Sequence, residues 1–172
     1  MEPPRAATIR LLSLFNIAIR LGGDALAYYW RGGVRLDLGD ITEGQEKVEY
    51  YLKAISDFDK SIELSKGKQI DSYNLRGIAK VKLADEAPVG YDLQTLFREA
   101  IDDLRIYLVK ENKDSQAHDW LAEAYVTLIE FLPPSEERDE LRNRALFHKQ
   151  KAYEGSKKKY LIKQIEDIKD ID

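Results

Sequence analysis

Histidine is the side chain best suited to proton transfer or metal ligation near neutral pH, and this chain has two, His118 and His148. His118 follows Asp114 by four residues, a spacing suited to a local cap or pair. The chain contains no cysteine, which excludes disulfides, thiolate zinc sites, cysteine nucleophiles and cysteine-ligated iron–sulfur clusters. Two carboxylate pairs remain, Asp57 with Asp59 and Asp102 with Asp103. Residues one or two apart on a helix point in different directions, so neither pair converges on a point, and both read as solvent-facing. No His-Glu-x-x-His, Glu-x-x-His, phosphate loop or Gly-x-Ser-x-Gly occurs. The expectation is a protein that is not an enzyme, with no catalytic residue, metal site or cofactor.

The elements that would position any site are helical. Leu, Ala, Glu, Lys, Ile and Asp dominate, with 10 glycines and 5 prolines in 172 residues. Hydrophobic residues at 44% supply a core, and charged residues at 34% argue against a membrane-embedded chain. The apolar window from Ile9 to Leu21 is interrupted by Arg10 and Arg20 and is too short to span a bilayer of about 20 residues. It reads instead as an N-terminal helix whose buried stripe is Leu11, Leu14, Phe15, Ala18 and Leu21, ended by Gly22 and Gly23. A cytoplasmic protein is expected.

Charge is distributed unevenly. The net charge of −4 is too balanced for a general binder of phosphate backbones. Residues 38–137 carry 12 basic and 21 acidic side chains, a net of −9, whereas residues 138–163 carry nine basic and three acidic, a net of +6. The acidic middle suits an apolar segment with basic residues. A basic patch of Arg138, Arg142, Arg144, Lys149, Lys151, Lys157, Lys158 and Lys159 would suit an acidic partner, RNA or a membrane surface.

An internal repeat organises the chain. Tyr28-Tyr29-Trp30-Arg31-Gly32 matches Tyr73-Asn74-Leu75-Arg76-Gly77 and then His118-Asp119-Trp120-Leu121-Ala122, so that Gly32, Gly77 and Ala122 stand 45 residues apart. Downstream, Ala54-Ile55-Ser56-Asp57-Phe58 corresponds to Ala100-Ile101-Asp102-Asp103-Leu104 and to Ala145-Leu146-Phe147-His148-Lys149, with alanines 46 and 45 apart. Two anchors thus keep one period through three copies. Each copy predicts two helices, the first over about 24–38, 71–84 and 115–132 with a small residue at its centre for close packing. Turns are expected inside the copies at 40–44, 87–90 and 133–135, and between them at 66–68, 112–114 and 155–156. Ser135 reads as a helix cap.

These residues resemble the tetratricopeptide repeat family. YYWRGGVRLDLGD, YNLRGIAKVKLAD and WLAEAYVTLIE are similar to its first helix, and KAISDFDKSIEL, REAIDDLRIYL and RALFHKQKAY to its second. The family period is about 34 residues, so each copy is longer by roughly 11, in line with the longer-helix variants. The resemblance implies an all-α, right-handed solenoid of three helix pairs in one domain, 1–172. An N-terminal capping helix would occupy 1–23, the repeats 24–66, 67–113 and 114–155, and a C-terminal capping helix 156–172, the last using Tyr160, Leu161, Ile165 and Ile168. It also implies a partner-binding groove on the first helices. Its residues would be Leu26, Tyr29, Gly33 and Leu36, then Asn74, Ile78, Val81 and Lys82, then Asp119, Glu123, Val126 and Thr127. Tyr29 would be the exposed aromatic anchor, and Tyr28, Trp30 and Tyr73 would pack between helices. The family's clamp for a chaperone C-terminal carboxylate falls on Tyr29, Gly33, Leu75, Gln116 and Trp120, none of which forms charge-assisted bonds to a carboxylate. A chaperone tail is therefore not the expected partner.

The expected function is that of a non-enzymatic scaffold or adaptor that binds a protein or peptide segment, in the manner of an assembly factor. The alternatives are a structural subunit docked through its outer faces and a nucleic-acid accessory protein using the basic segment.

Overall fold

The computed structural model describes residues 4–87 and 90–171 and is all-α. Its helices are α1 (Pro4–Arg20), α2 (Ala25–Asp40), α3 (Gly44–Ser65), α4 (Ile70–Glu86), α5 (Leu93–Leu108), α6 (Ser115–Glu130), α7 (Glu136–Ser156) and α8 (Tyr160–Lys169). The chain divides into two compact units, Met1–Tyr91 and Asp92–Asp172. The division falls inside the second sequence copy, after its first helix. No helix among the described residues is long and apolar enough to cross a membrane.

In the first unit, α2 and α3 form the principal helix pair, flanked by α1 on α2 and α4 on α3, and α2 also touches α4. The α2 start is fixed by Asp24, whose carboxylate accepts from Ala27 N at 3.0 Å. The α3 end is a Schellman motif: Lys66 takes the left-handed conformation, Lys66 N donates to Glu63 O at 3.0 Å, and Gly67 N donates to Ile62 O at 2.9 Å. Between the helices Gly32 gives the close packing that the repeat predicted, and Gly39 adds a second such seat. A Cβ on Gly32 would stand 2.7 Å from the Phe58 ring, and one on Gly39 would stand 2.3 Å from the Tyr51 ring, so both rings sit directly on helical backbone. The Tyr51 hydroxyl completes its position by donating to Asp40 at 2.9 Å. Two buried serines tie further elements together: Ser61 donates to Ala25 O at 2.7 Å, and Ser72 donates to Ser61 at 2.8 Å.

The N-terminal helix departs from expectation. Of the predicted buried stripe only Phe15 is even half-buried, while Leu11 and Ala18 are exposed and Leu14 and Leu21 are 63% and 83% exposed. The face turned to α2 is instead Thr8, Leu12, Phe15, Asn16 and Ile19, and the Asn16 amide oxygen accepts from Arg31 at 3.0 Å. Because α1 is apolar around most of its circumference, periodicity alone does not choose between faces. A polar anchor does.

In the second unit the neighbours run in order, α5 on α6, α6 on α7 and α7 on α8, with α6 and α7 in closest association. The N-termini of α5, α6 and α7 carry side-chain caps, whereas that of α8 does not: Asp92 accepts from Thr95 N, Asp114 from Gln116 N and Ala117 N, and the predicted Ser135 from Arg138 N. Helix α7 runs through the predicted turn at Gly155-Ser156 and stops at Lys157, which is left-handed. Gly155 serves close packing there, since a Cβ would meet that of Ser115 at 2.8 Å. On α8, Leu161 and Ile168 are buried, Ile165 is half-buried and Tyr160 is exposed. The predicted turn at 87–90 includes Pro88 and Val89, which lie outside the described residues.

Adjacent glycines in α2 give a sharp test. A Cβ on Gly33 meets nothing within 4 Å, so Gly33→Ala should leave stability unchanged or raise it by up to about 1 kcal/mol through helix propensity. Gly32→Ala should cost about 1–3 kcal/mol, because Phe58 must move. Urea unfolding of both variants checks the contrast, and equal midpoints would refute the close approach.

Candidate functional site

In the first copy the two helices of the pair are joined by a buried charge. Asp57 on α3 stands three residues after buried Ala54 and four before buried Ser61, so it faces inward and is 2% exposed. Arg31 on α2 reaches it with Nε at 2.9 Å and Nη2 at 2.6 Å, and Arg35, one turn further, with Nη1 at 2.7 Å. This corrects the reading of the aspartates as solvent-facing. Asp59 and Asp102 are exposed, but Asp57 and its second-copy counterpart Asp103 are buried. A buried carboxylate is tolerated only with such donors around it.

The same register leads to the histidines. In the third copy His148 stands where Asp57 and Asp103 stand, and Leu121 and Tyr125 occupy the positions of Arg31 and Arg35. A cross-helix link survives between two rings. His118 Nδ1 and His148 Nδ1 lie 2.7 Å apart with the rings stacked at 5.0 Å, and His118 Nε2 lies 3.0 Å from the Asn112 carbonyl oxygen. Tyr125 also stacks on His148, the ring centroids 6.0 Å apart. Burial, then the neighbouring His118 ring, then the Arg105 and Arg144 cations push the His148 pKa down to about 4. His148 is therefore neutral at physiological pH.

The pair borders a cavity of about 1210 Å³ between α5, α6 and α7. Ile106, Leu108, Val109, Leu121 and Phe147 make its apolar walls, and of these Val109 is 76% exposed at the mouth. Arg105 with Asp102 at 3.9 Å, and Lys151 with Glu154 at 2.9 Å, line it as ion pairs. Among the described residues no group of three His, Asp or Glu side chains is placed to hold a metal ion.

The residues expected in the groove fall into two sets. In the first unit Leu26 is exposed, Tyr29, Gly33, Asn74 and Lys82 are half-buried, and Leu36, Ile78 and Val81 belong to the core. The exposed aromatic is Trp30, 51% exposed, whereas Tyr29 packs on it at 5.0 Å and on Phe58 at 6.4 Å. The two residues exchange their predicted roles, because Tyr29 lies on the side of α2 that meets the Phe58 ring. Tyr28 and Tyr73 are half-buried, with Arg31 and Arg76 over their rings.

In the second unit Asp119, Glu123, Val126 and Thr127 are half-buried. Lys149, counted in the basic patch, is 2% exposed and extends between Asp119 at 2.6 Å and Glu123 at 3.5 Å. One buried cation thus offsets the acidity expected there. Much of the rest of the patch is also satisfied internally: Arg142 pairs with Asp139 at 3.1 Å, Arg144 with Glu140, and Lys151 with Glu154, while Arg138 donates to Leu132 O. Lys157, Lys158 and Lys159 remain exposed. The histidine pair went unread in the sequence, although its signal lay in the 45-residue register, where a histidine replaces an aspartate. A scan against protein-family models and a search of curated proteins return no match to this chain.

The neutral His148 makes stability depend on pH. Its unfolded-state pKa is near 6.5 and its folded value about 4. The unfolded chain therefore takes up a proton that the folded one refuses, and the contribution is whole above pH 6.5 and is lost as pH falls toward 4. The urea midpoint should fall between pH 7 and pH 5, above the range where most carboxylates titrate. His148→Phe should flatten that slope, and equal slopes in the two proteins would contradict the assignment.

Proposed function

We propose that the chain is a non-enzymatic interaction scaffold of the tetratricopeptide type, a right-handed solenoid of three long helix pairs that binds a polypeptide segment on its first helices, in the cytoplasm. The observation that carries this reading is the 45-residue sequence repeat, whose small residue in the first copy, Gly32, seats the Phe58 ring of the paired helix. Contact of α2 with α4, the first helices of successive copies, is what stacking of such pairs requires.

Within the first unit the proposed contact surface is centred on the face of α2 that carries Leu26, Tyr29 and Gly33, with exposed Trp30 beside it. Gly33 leaves backbone open to an approaching chain, and Leu26 and Trp30 supply apolar area. Aromatic and apolar anchors of this kind dominate interface energetics. The partner segment for this surface is accordingly apolar.

A second reading, a structural subunit docked through its outer faces, is favoured by α1. Its outward side exposes Ile9, Leu11, Leu14, Ile17 and Leu21, a run of apolar area beyond what isolated surface residues account for. One experiment separates the two. Tagged wild type, Gly33→Arg, Leu14→Glu and a Lys163→Glu control are purified from the native cell and co-purifying proteins are quantified by mass spectrometry. Partners lost at least tenfold with Gly33→Arg and retained with Leu14→Glu are expected. Loss with Leu14→Glu alone would transfer the function to the outer face, and identical recovery by all four would refute both surfaces.

A further inference from the structure

Helix α1 is seated on one side and uncovered on the other. Thr8, Leu12, Phe15, Asn16 and Ile19 hold it against α2, and Arg5 ties its start to Glu46 through two bonds of 2.8 Å. On the opposite side Ala7, Arg10, Leu14, Ile17 and Leu21 are all exposed, and their spacing of three or four residues sets them along one line of the helix. Ile9 and Leu11 flank that line. The helix thus presents a preformed apolar ridge with a guanidinium set among leucine and isoleucine side chains.

Charge decides what can cover this ridge. The charged residues of α1 are three arginines, with no acidic residue among Pro4–Arg20. A second α1 packed on the first would therefore set arginine against arginine. A protein groove would have to place a carboxylate opposite Arg10 in the middle of an apolar contact, because a cation buried without compensation is strongly unfavourable. The apolar cavity of the second unit of another copy does not fit that description, since its cations Arg105, Lys113 and Lys151 outnumber its carboxylates Asp102 and Glu154. A lipid surface meets both demands at once. Acyl chains just beneath the headgroups receive the aliphatic side chains, and phosphate oxygens at the boundary accept from the guanidinium. The arginine stem lies along the neighbouring apolar side chains while its head reaches that layer.

We propose that the outer face of α1 is a peripheral membrane contact, lying in the plane of an anionic lipid surface with Leu14, Ile17 and Leu21 among the acyl chains and Arg10 at the lipid phosphates. No helix among the described residues is long and apolar enough to cross a bilayer, so the contact is interfacial. It requires nothing of the polypeptide-binding face of α2, and it gives the outer face of α1 a lipid occupant where the subunit reading gives it a protein.

The chain lacks cysteine, so a single introduced cysteine carries one environment-sensitive fluorophore. Ala18→Cys, exposed beside the ridge, and Lys163→Cys, exposed on α8, are made in the full-length protein and labelled. Each is mixed with vesicles of phosphatidylcholine alone and of phosphatidylcholine with phosphatidylglycerol. Emission from position 18 should shift to the blue with the anionic vesicles, and emission from position 163 should not. In co-sedimentation of unlabelled protein, Leu14→Glu should weaken binding by roughly tenfold, and Arg10→Gln by about fivefold, the usual worth of one basic residue near an anionic surface. Both positions are exposed, so thermal melts of these variants should match the wild type. Lys158→Glu, in the basic segment, should bind as the wild type does. No binding at millimolar lipid, equal binding to the two kinds of vesicle, binding that survives Leu14→Glu, or binding lost with Lys158→Glu instead would overturn the proposal.

Discussion

A helix pair that buries a polar group between its members must satisfy that group from within the pair, and this requirement shapes both units. In the first copy the buried group is the Asp57 carboxylate, and two arginines from successive turns of α2 meet it from the facing helix. Such a bridge adds little net stability over an apolar contact of similar shape, because the desolvation of three charges offsets their attraction. Its effect is on register. A slip of α3 along α2 would leave a carboxylate buried without donors, which costs several kcal/mol, so the geometry of the pair is fixed by what would happen if it shifted. The close seats of Phe58 on Gly32 and Tyr51 on Gly39 then fill the same alignment with contact area.

The third copy meets the same requirement with different chemistry. Replacing the carboxylate by an imidazole removes the need for two guanidinium partners, and their positions become Leu121 and Tyr125, which enlarge the core. The imidazole must still have a partner, and His118, on the helix that otherwise supplies tyrosines at that register, provides it.

Most of the architecture was legible because it rests on local signals: the cap Ser135, the glycines ahead of α3 and after it, and the two anchors that hold the period. What escaped were choices that depend on three-dimensional neighbours. Periodicity placed Leu14 and Leu21 inward, whereas the hydrogen bond from Arg31 to Asn16 turns α1 the other way. Composition counted Lys149 among surface cations, yet its long apolar stem lets the ammonium reach Asp119 and Glu123 from inside the pair. A glycine near a helix end suggested a turn at Gly155, and its true reason, the approach of Ser115, is invisible in one dimension. The half-exposed Trp30 and the covered Tyr29 differ only by the 100° that separates neighbours on a helix.

The candidate site follows the same division. Its residues were visible through the alignment of the copies, which sets His148 against two aspartates, but the meaning of the change lay in the partner. Opposite a second histidine whose far nitrogen lies 3.0 Å from a backbone carbonyl, His148 has a ring partner at 2.7 Å. The repeat thus supplies one architectural slot, and the residue placed in it decides whether the paired helices are tied by a buried ion pair, as at Asp57, or by a ring-to-ring contact, as at His148.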